Sequence, residues 1–325
     1  MRIVLLFIFF LVYSVSWAQT CCSAGAQVSS IYTIPNEDGR AIAVNFAYEY
    51  SSINLLIDQN ERLVNDPRTR FGQSFIAKVD YVVNPKLSFS ATLPIVHQSR
   101  KTISSQEQSI GIGDALFMGQ YTFISNQQFQ LNASGGIKLP TGITSQRSQG
   151  IFLSPDMQSG SGSVDYVVLV GASKKNVFSP FSVISFQSYY RNNGVNNSFA
   201  KTELSNGRRF GFGDEFSSVL TYQYTFVHPR AFITPDINLK VRAARANIEL
   251  ETLAPNSGGT WLSLPFGLTY RPDEEKMFRV YAEIPLYQRL VGLQISTSFN
   301  TGVQFRYLFN DPFKKRKNNE NINLN

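Results

Sequence analysis

Residues 71–95 read FGQSFIAKVDYVVNPKLSFSATLPI, and their alternation decides the fold. Phe71, Phe75, Ala77, Val79 and Tyr81 take the odd positions, while Gly72, Ser74, Lys78 and Asp80 take the even ones, with Ile76 the exception. After Val82-Val83-Asn84-Pro85 the pattern resumes: Leu87, Phe89, Ala91, Leu93 and Ile95 alternate with Lys86, Ser88, Ser90 and Thr92. A period of two over this length describes strands with one apolar and one polar face. Phe129, Leu131, Ala133, Ile137 and Leu139 repeat it, as do Phe299, Val303, Phe305, Tyr307 and Phe309.

Extended along the chain, the pattern gives about twelve strands, centred in 41–50, 70–81, 86–95, 112–123, 128–139, 163–173, 180–190, 209–226, 230–243, 261–270, 278–286 and 291–309. Their connections alternate in length. Short turns fall at 82–85, 124–127, 174–177, 227–229 and 272–275, and long polar loops near 51–69, 96–110, 141–160, 191–207 and 247–260. The last hairpin, near 287–290, is an exception, with a short loop. A meander with short turns at one end and long loops at the other is the plan of an outer-membrane barrel. A soluble sandwich would alternate too, but its strands average about five or six residues. Strands of about ten suit a tilted membrane strand. The predicted fold is an all-β, up-and-down antiparallel transmembrane β-barrel.

Two details agree with one rim. Leu93-Pro94, Leu139-Pro140 and Ile284-Pro285 fall where alternating strands three, five and eleven are expected to stop, and Pro suits a strand end because it cannot donate to the ladder. Gly111-Ile112-Gly113-Asp114 and Gly211-Phe212-Gly213-Asp214 are expected to open strands four and eight at the same, long-loop rim.

The ends are processing and tail segments. Met1-Arg2, the apolar run Ile3 to Val12 and Ser16-Trp17-Ala18 form a signal peptide cleaved after Ala18. Residues 19–40 are expected to be an N-terminal periplasmic segment, 41–310 the barrel, and 311–325 a basic disordered tail carrying Lys314-Lys315-Arg316-Lys317. Beyond the signal, no apolar run is long enough for a spanning helix. Aromatics make up 13% of residues and charged residues only 16%, a balance suited to an outer face meeting lipid. The net charge of +7 lies partly in the tail, read as a solvated end rather than a nucleic-acid site. The expected partners are outer-membrane lipid, the assembly machinery of that membrane, and a small-molecule solute.

Gly111-Ile112-Gly113-Asp114, Gly119-Gln120-Tyr121-Thr122-Phe123, Ile137-Lys138-Leu139-Pro140-Thr141-Gly142 and Gly160-Ser161-Gly162-Ser163 follow one another in a characteristic order. Over about residues 86–173 this resembles the outer-membrane proteins grouped as "MetA-pathway of phenol degradation". The resemblance implies an outer-membrane channel for small, often aromatic or hydrophobic compounds. It implies no catalytic residues.

Alternation turns Lys78, Asp80, Lys86, Asp114, Lys138, Asp165, Asp236, Lys240, Arg242, Arg279, Glu283 and Arg306 inward. Lys or Arg facing lipid at mid-membrane would cost about 2–4 kcal/mol. These residues either set the selectivity of a pore or form a salt-bridged network that closes the barrel. The second case would leave a structural, adhesive or partner-docking role. Gly113-Asp114 and Gly213-Asp214 could hold calcium, but no further acidic cluster adjoins them and strand-start turns explain them. His97, with Ser99 close by, could serve a surface lipase. No catalytic motif surrounds it, and His228 lies in a turn at the opposite end, so an enzyme is not expected. No phosphate loop, zinc spacing or dinucleotide fingerprint is present, and no cofactor is expected. Cys21-Cys22 opens the mature chain. It could bind a soft metal ion, form a vicinal disulfide, pair with another protein, or have no role.

Overall fold

The computed structural model describes residues 41–63, 67–102, 105–229 and 231–310. The expected signal peptide, the segment 19–40 with Cys21 and Cys22, and the tail 311–325 lie outside the described residues.

Twelve long strands form the wall: β1 (Ala41–Ile53), β2 (Thr69–Asn84), β3 (Leu87–Lys101), β4 (Ala115–Ser125), β5 (Phe129–Leu139), β6 (Asp165–Lys175), β7 (Ser182–Asn192), β8 (Glu215–Tyr224), β9 (Ala231–Ala244), β10 (Gly259–Arg271), β11 (Lys276–Leu290) and β12 (Phe299–Asn310). Each pairs antiparallel with its neighbours in sequence. The β12 strand returns to β1 in register from Ala41↔Asn310 to Ser52↔Phe299, which closes the barrel. Closure removes the sheet edge that lipid could not hydrate.

The period-two pattern has the physical consequence it implies. Phe46, Phe75, Phe89, Phe117, Val170 and Val303 stand exposed on the outside. Asn45, Lys78, Ser90, Gln120 and Asn300, one residue out of phase, are buried inside. An apolar exterior around a polar interior inverts a soluble barrel, and it places the chain in the outer membrane. Ile76, which broke the polar face in the sequence, points inward and packs on Ala47. Leu116, Met118, Val167 and Leu169 form a second apolar patch inside the wall.

Four boundaries differ from the sequence reading, each for a local reason. The β3 strand does not stop at Pro94 but continues to Lys101. On one side its ladder passes from β4, ending at Thr92↔Leu116, to the loop strand Gln106–Ile112, starting at Ile95↔Ile112. Pro94 sits at that handover, where its carbonyl accepts from Gly113 N (2.8 Å) and it has no N–H to leave unpaired. The β11 strand likewise runs past Pro285 to Leu290 through a bulge at Leu286. Residues 209–226 divide, because Arg208–Gly211 joins a small loop sheet with Val195–Phe199, Ile248–Glu249 and Thr252–Leu253. The last strand starts at Phe299, not near 291, because Leu293–Ser296 pairs with Leu55–Asp58 above the rim.

Candidate functional site

Ion pairs ring the interior. Lys78 Nζ lies 2.9 Å from Asp80, which also accepts from Asn45 Nδ2 (2.8 Å). Lys240 Nζ lies 3.0 Å from Glu283, and Ser263 Oγ donates to the same carboxylate (2.7 Å). Arg279 grips Asp236 through both terminal nitrogens, at 2.6 and 2.8 Å. Arg306 faces inward on β12, opposite Asn45 and in the row of Lys78. Lys86 does not belong to this set. It is exposed in the β2–β3 turn, where Asn84 Oδ1 accepts from the backbone N–H groups of Lys86 and Leu87. The turn, capped by Asn84, ends the alternation one residue before β3 begins.

In another interior cluster the sequence reasoning placed Arg242 but missed Glu215 and Arg191. Glu215 on β8 bonds Arg191 (3.1 Å), Arg242 (2.8 Å) and the Tyr189 hydroxyl. Arg242 also stacks 4.6 Å from the centre of the Trp261 ring. Glu215 follows Gly213-Asp214, which reads as a turn, and Arg191 fell in an assigned loop. Their parity with Ser217 and Tyr189 was the available signal.

The motif residues 111–114, 138–142 and 160–163 converge on one knot at the long-loop rim. Lys138 Nζ bridges Asp114 (2.8 Å) and Asp165 (2.7 Å) and also donates to the Ser161 hydroxyl. Asp114 accepts in addition from Gly142 N (3.0 Å) and Ser161 N (2.9 Å). Gly142 and Gly160 pass so closely that a Cβ on Gly160 would lie 2.4 Å from the Gly142 carbonyl carbon, so neither tolerates a side chain. The same device recurs along the rim. Asp165 accepts from Gly194 N and Asp214 from Asn193 N, each at 3.0 Å. The aspartates of both glycine-aspartate motifs therefore hold loop backbones, as turn residues do.

From this knot the loop 140–164 folds into the barrel mouth, burying Leu153, Met157, Gln158 and Ser159. Its one-turn 3-10 helix, Pro155–Met157, presents Asp156 to Arg70 (2.6 Å) and Arg100 (3.5 Å). These residues were missed because the loop has no periodicity to read. Burial alone would raise the Asp156 pKa, but Arg70 and Arg100 outweigh it and hold the carboxyl below its ordinary value of 3.8. A depressed pKa gives stabilisation that is present above the unfolded value and lost as pH falls through the folded one. Protease protection of residues 151–160 should therefore stay constant from neutral pH down to about pH 4. Asp156→Asn should lower it throughout that range. Loss of protection in the wild type near pH 6 would contradict this clamp.

The wall is incomplete at one seam. The β10–β11 ladder runs to Gly259↔Leu290 and the β1–β12 ladder to Ser52↔Phe299, but the β11–β12 ladder ends at Glu283↔Asn300. Extending that register would pair Leu290 with Leu293, which instead pairs with Asp58. Side chains bridge the gap. Gln288 Nε2 donates to Thr297 O (2.8 Å), and Trp261 Nε1 to Ser296 Oγ (3.0 Å). Behind the seam lies a cavity of about 30 Å³ lined by Lys240, Arg242, Trp261, Glu283, Gln288 and Asn300. Outside it stand Ile284, Leu286, Tyr287 and Phe299.

The suggested histidine–serine pair does not form. His97 Nδ1 lies 3.1 Å from Gln73 Oε1, and its ring packs edge-on against Phe71. His228 is in the β8–β9 turn at the far end.

No protein-family model matches the chain, and no curated protein does. Solved structures do. An outer membrane channel from Pseudomonas putida F1 is 14% identical, with 86% of this chain covering 98% of that one at a TM-score of 0.67. The β domain of the Bordetella autotransporter BrkA is 9% identical, with 84% of this chain covering all of that one at 0.50. At these identities the likeness is one of fold.

Proposed function

We propose that the protein is an outer-membrane channel for small apolar or amphiphilic molecules, which exchange between the barrel and the membrane through the β11–β12 seam. The observation that carries this reading is the seven-residue stretch of β11, 284–290, without a ladder partner on β12, backed by a cavity and faced with apolar side chains. A broken ladder leaves backbone groups that must find other partners, as Leu290 N does on Gln59 O (2.7 Å). The interior argues against a wide aqueous pore. Its charges are paired and mostly buried, and the loop 140–164 fills its mouth. The resemblance of residues 86–173 to channels for hydrophobic compounds points the same way.

A closed barrel with a structural or docking role is the second reading, favoured by the same pairing of interior charges. Planar-bilayer conductance and liposome uptake separate the two. The channel reading expects low ionic conductance together with protein-dependent uptake of an apolar solute. Cysteines introduced at positions 286 and 299 and bridged by a bifunctional reagent should stop that uptake, and reversal should restore it. Uptake equal to that of protein-free liposomes would leave the closed barrel.

A further inference from the structure

We propose that the cavity behind the seam is a binding site for the hydroxyl group of a neutral amphiphile, with Gln288 Oε1 as its acceptor. The inference rests on the reading of the seam as a passage and names the chemistry of what passes.

Gln288 is 7% exposed, and its Oε1 has no hydrogen-bond partner among the described residues. The orientation of the amide is not free. Its other end faces the Thr297 carbonyl, which can only accept, so the nitrogen must lie there and the oxygen must face away. A buried acceptor left unsatisfied is destabilising, and a ligand donor would relieve it. The cavity's one carboxylate is already engaged, since Glu283 takes Lys240 and Ser263.

Charge selects among donors. The lining carries two cations, Lys240 and Arg242, against one carboxylate, Glu283. That excess disfavours an ammonium group and leaves a neutral hydroxyl. Size agrees, because about 30 Å³ accommodates one or two polar heavy atoms and no larger headgroup. The remainder of the molecule would extend through the seam past Ile284, Leu286 and Phe299, so it must be apolar. An aliphatic or aromatic alcohol meets each condition.

Trp261 lines the cavity and is the only tryptophan after residue 17, so its fluorescence reports occupancy directly. The barrel, held in amphipol, would be titrated with 1-decanol, decyl methyl ether and decylammonium. Saturable quenching or shift by decanol, with the ether and the ammonium each weaker by about tenfold, is expected from the loss of one hydrogen bond to a buried acceptor or from the adverse charge. Gln288→Leu should bring alcohol and ether to equal affinity. A purely structural Gln288 would weaken both ligands together and leave their ratio unchanged. Equal binding of alcohol and ether by the wild type, or a preference that survives Gln288→Leu, would overturn the proposal while leaving the seam as a passage. Alcohol-selective binding without liposome uptake would keep the site and remove the passage.

Discussion

Replacing Lys138 with methionine is expected to destabilise the barrel by about 3–5 kcal/mol, the range for removing one partner of a buried ion cluster. Lys138 bridges Asp114 and Asp165, and both carboxylates are almost completely buried. Without it, two like charges face each other with only hydroxyl and backbone donors. The loop 140–164 should then lose its anchor, so protease cleavage near 147–151 should accompany a lower denaturant midpoint. Lys138→Met with Asp114→Asn should recover part of the loss, because one uncompensated charge is gone. A single variant within 1 kcal/mol of wild type would mean that the knot is not coupled to stability.

Placement in lipid predicts a second large effect. Val170 stands 45% exposed on the outer face at the centre of β6, and Val164 stands 38% exposed just before its start. Val170→Arg should cost about 2–4 kcal/mol, and Val164→Arg about 0–1 kcal/mol, because the penalty falls from the bilayer midplane to the interface. Unfolding in lipid vesicles, followed by Trp261 fluorescence, would measure both. Equal effects at the two positions would refute the membrane placement of β6.

The strands were legible because lipid on one side and a polar interior on the other impose a period of two that no local exception erased. Ile76 broke the pattern without moving the register, since Ala47 opposite it leaves room for an apolar side chain. Eight of the interior charges, Lys78, Asp80, Asp236, Lys240, Arg242, Arg279, Glu283 and Arg306, follow from that period alone. Strand ends were less legible, because they depend on partners. Pro94 looks like a stop until its neighbouring strand is known to change there. Lys86 has the right parity and the wrong height, because Asn84 turns the chain before the pattern does. The candidate site was mostly illegible. The seam arises where Leu293–Ser296 prefers Leu55–Asp58 over the strand that precedes it, a choice between two partners that neither segment's own sequence encodes. Asp156 meets Arg70 and Arg100 from 86 and 56 residues away, through a loop with no repeat.

The knots and the seam are unevenly distributed around the wall, and that gives the barrel a mechanical polarity. Asp114, Asp165 and Asp214 tie the rim from β4 to β8, each clasping the backbone that leaves a neighbouring strand. Across the barrel, the segment entering β12 is held at the same height by one side-chain bond from Gln288 on β11 and one from Trp261 on β10. One half of the cylinder is braced like a hoop, while the other has the compliance of a split ring. Elastic deformation of the barrel, whether thermal or imposed by the bilayer, will concentrate at the split, so the wall yields first beside its cavity.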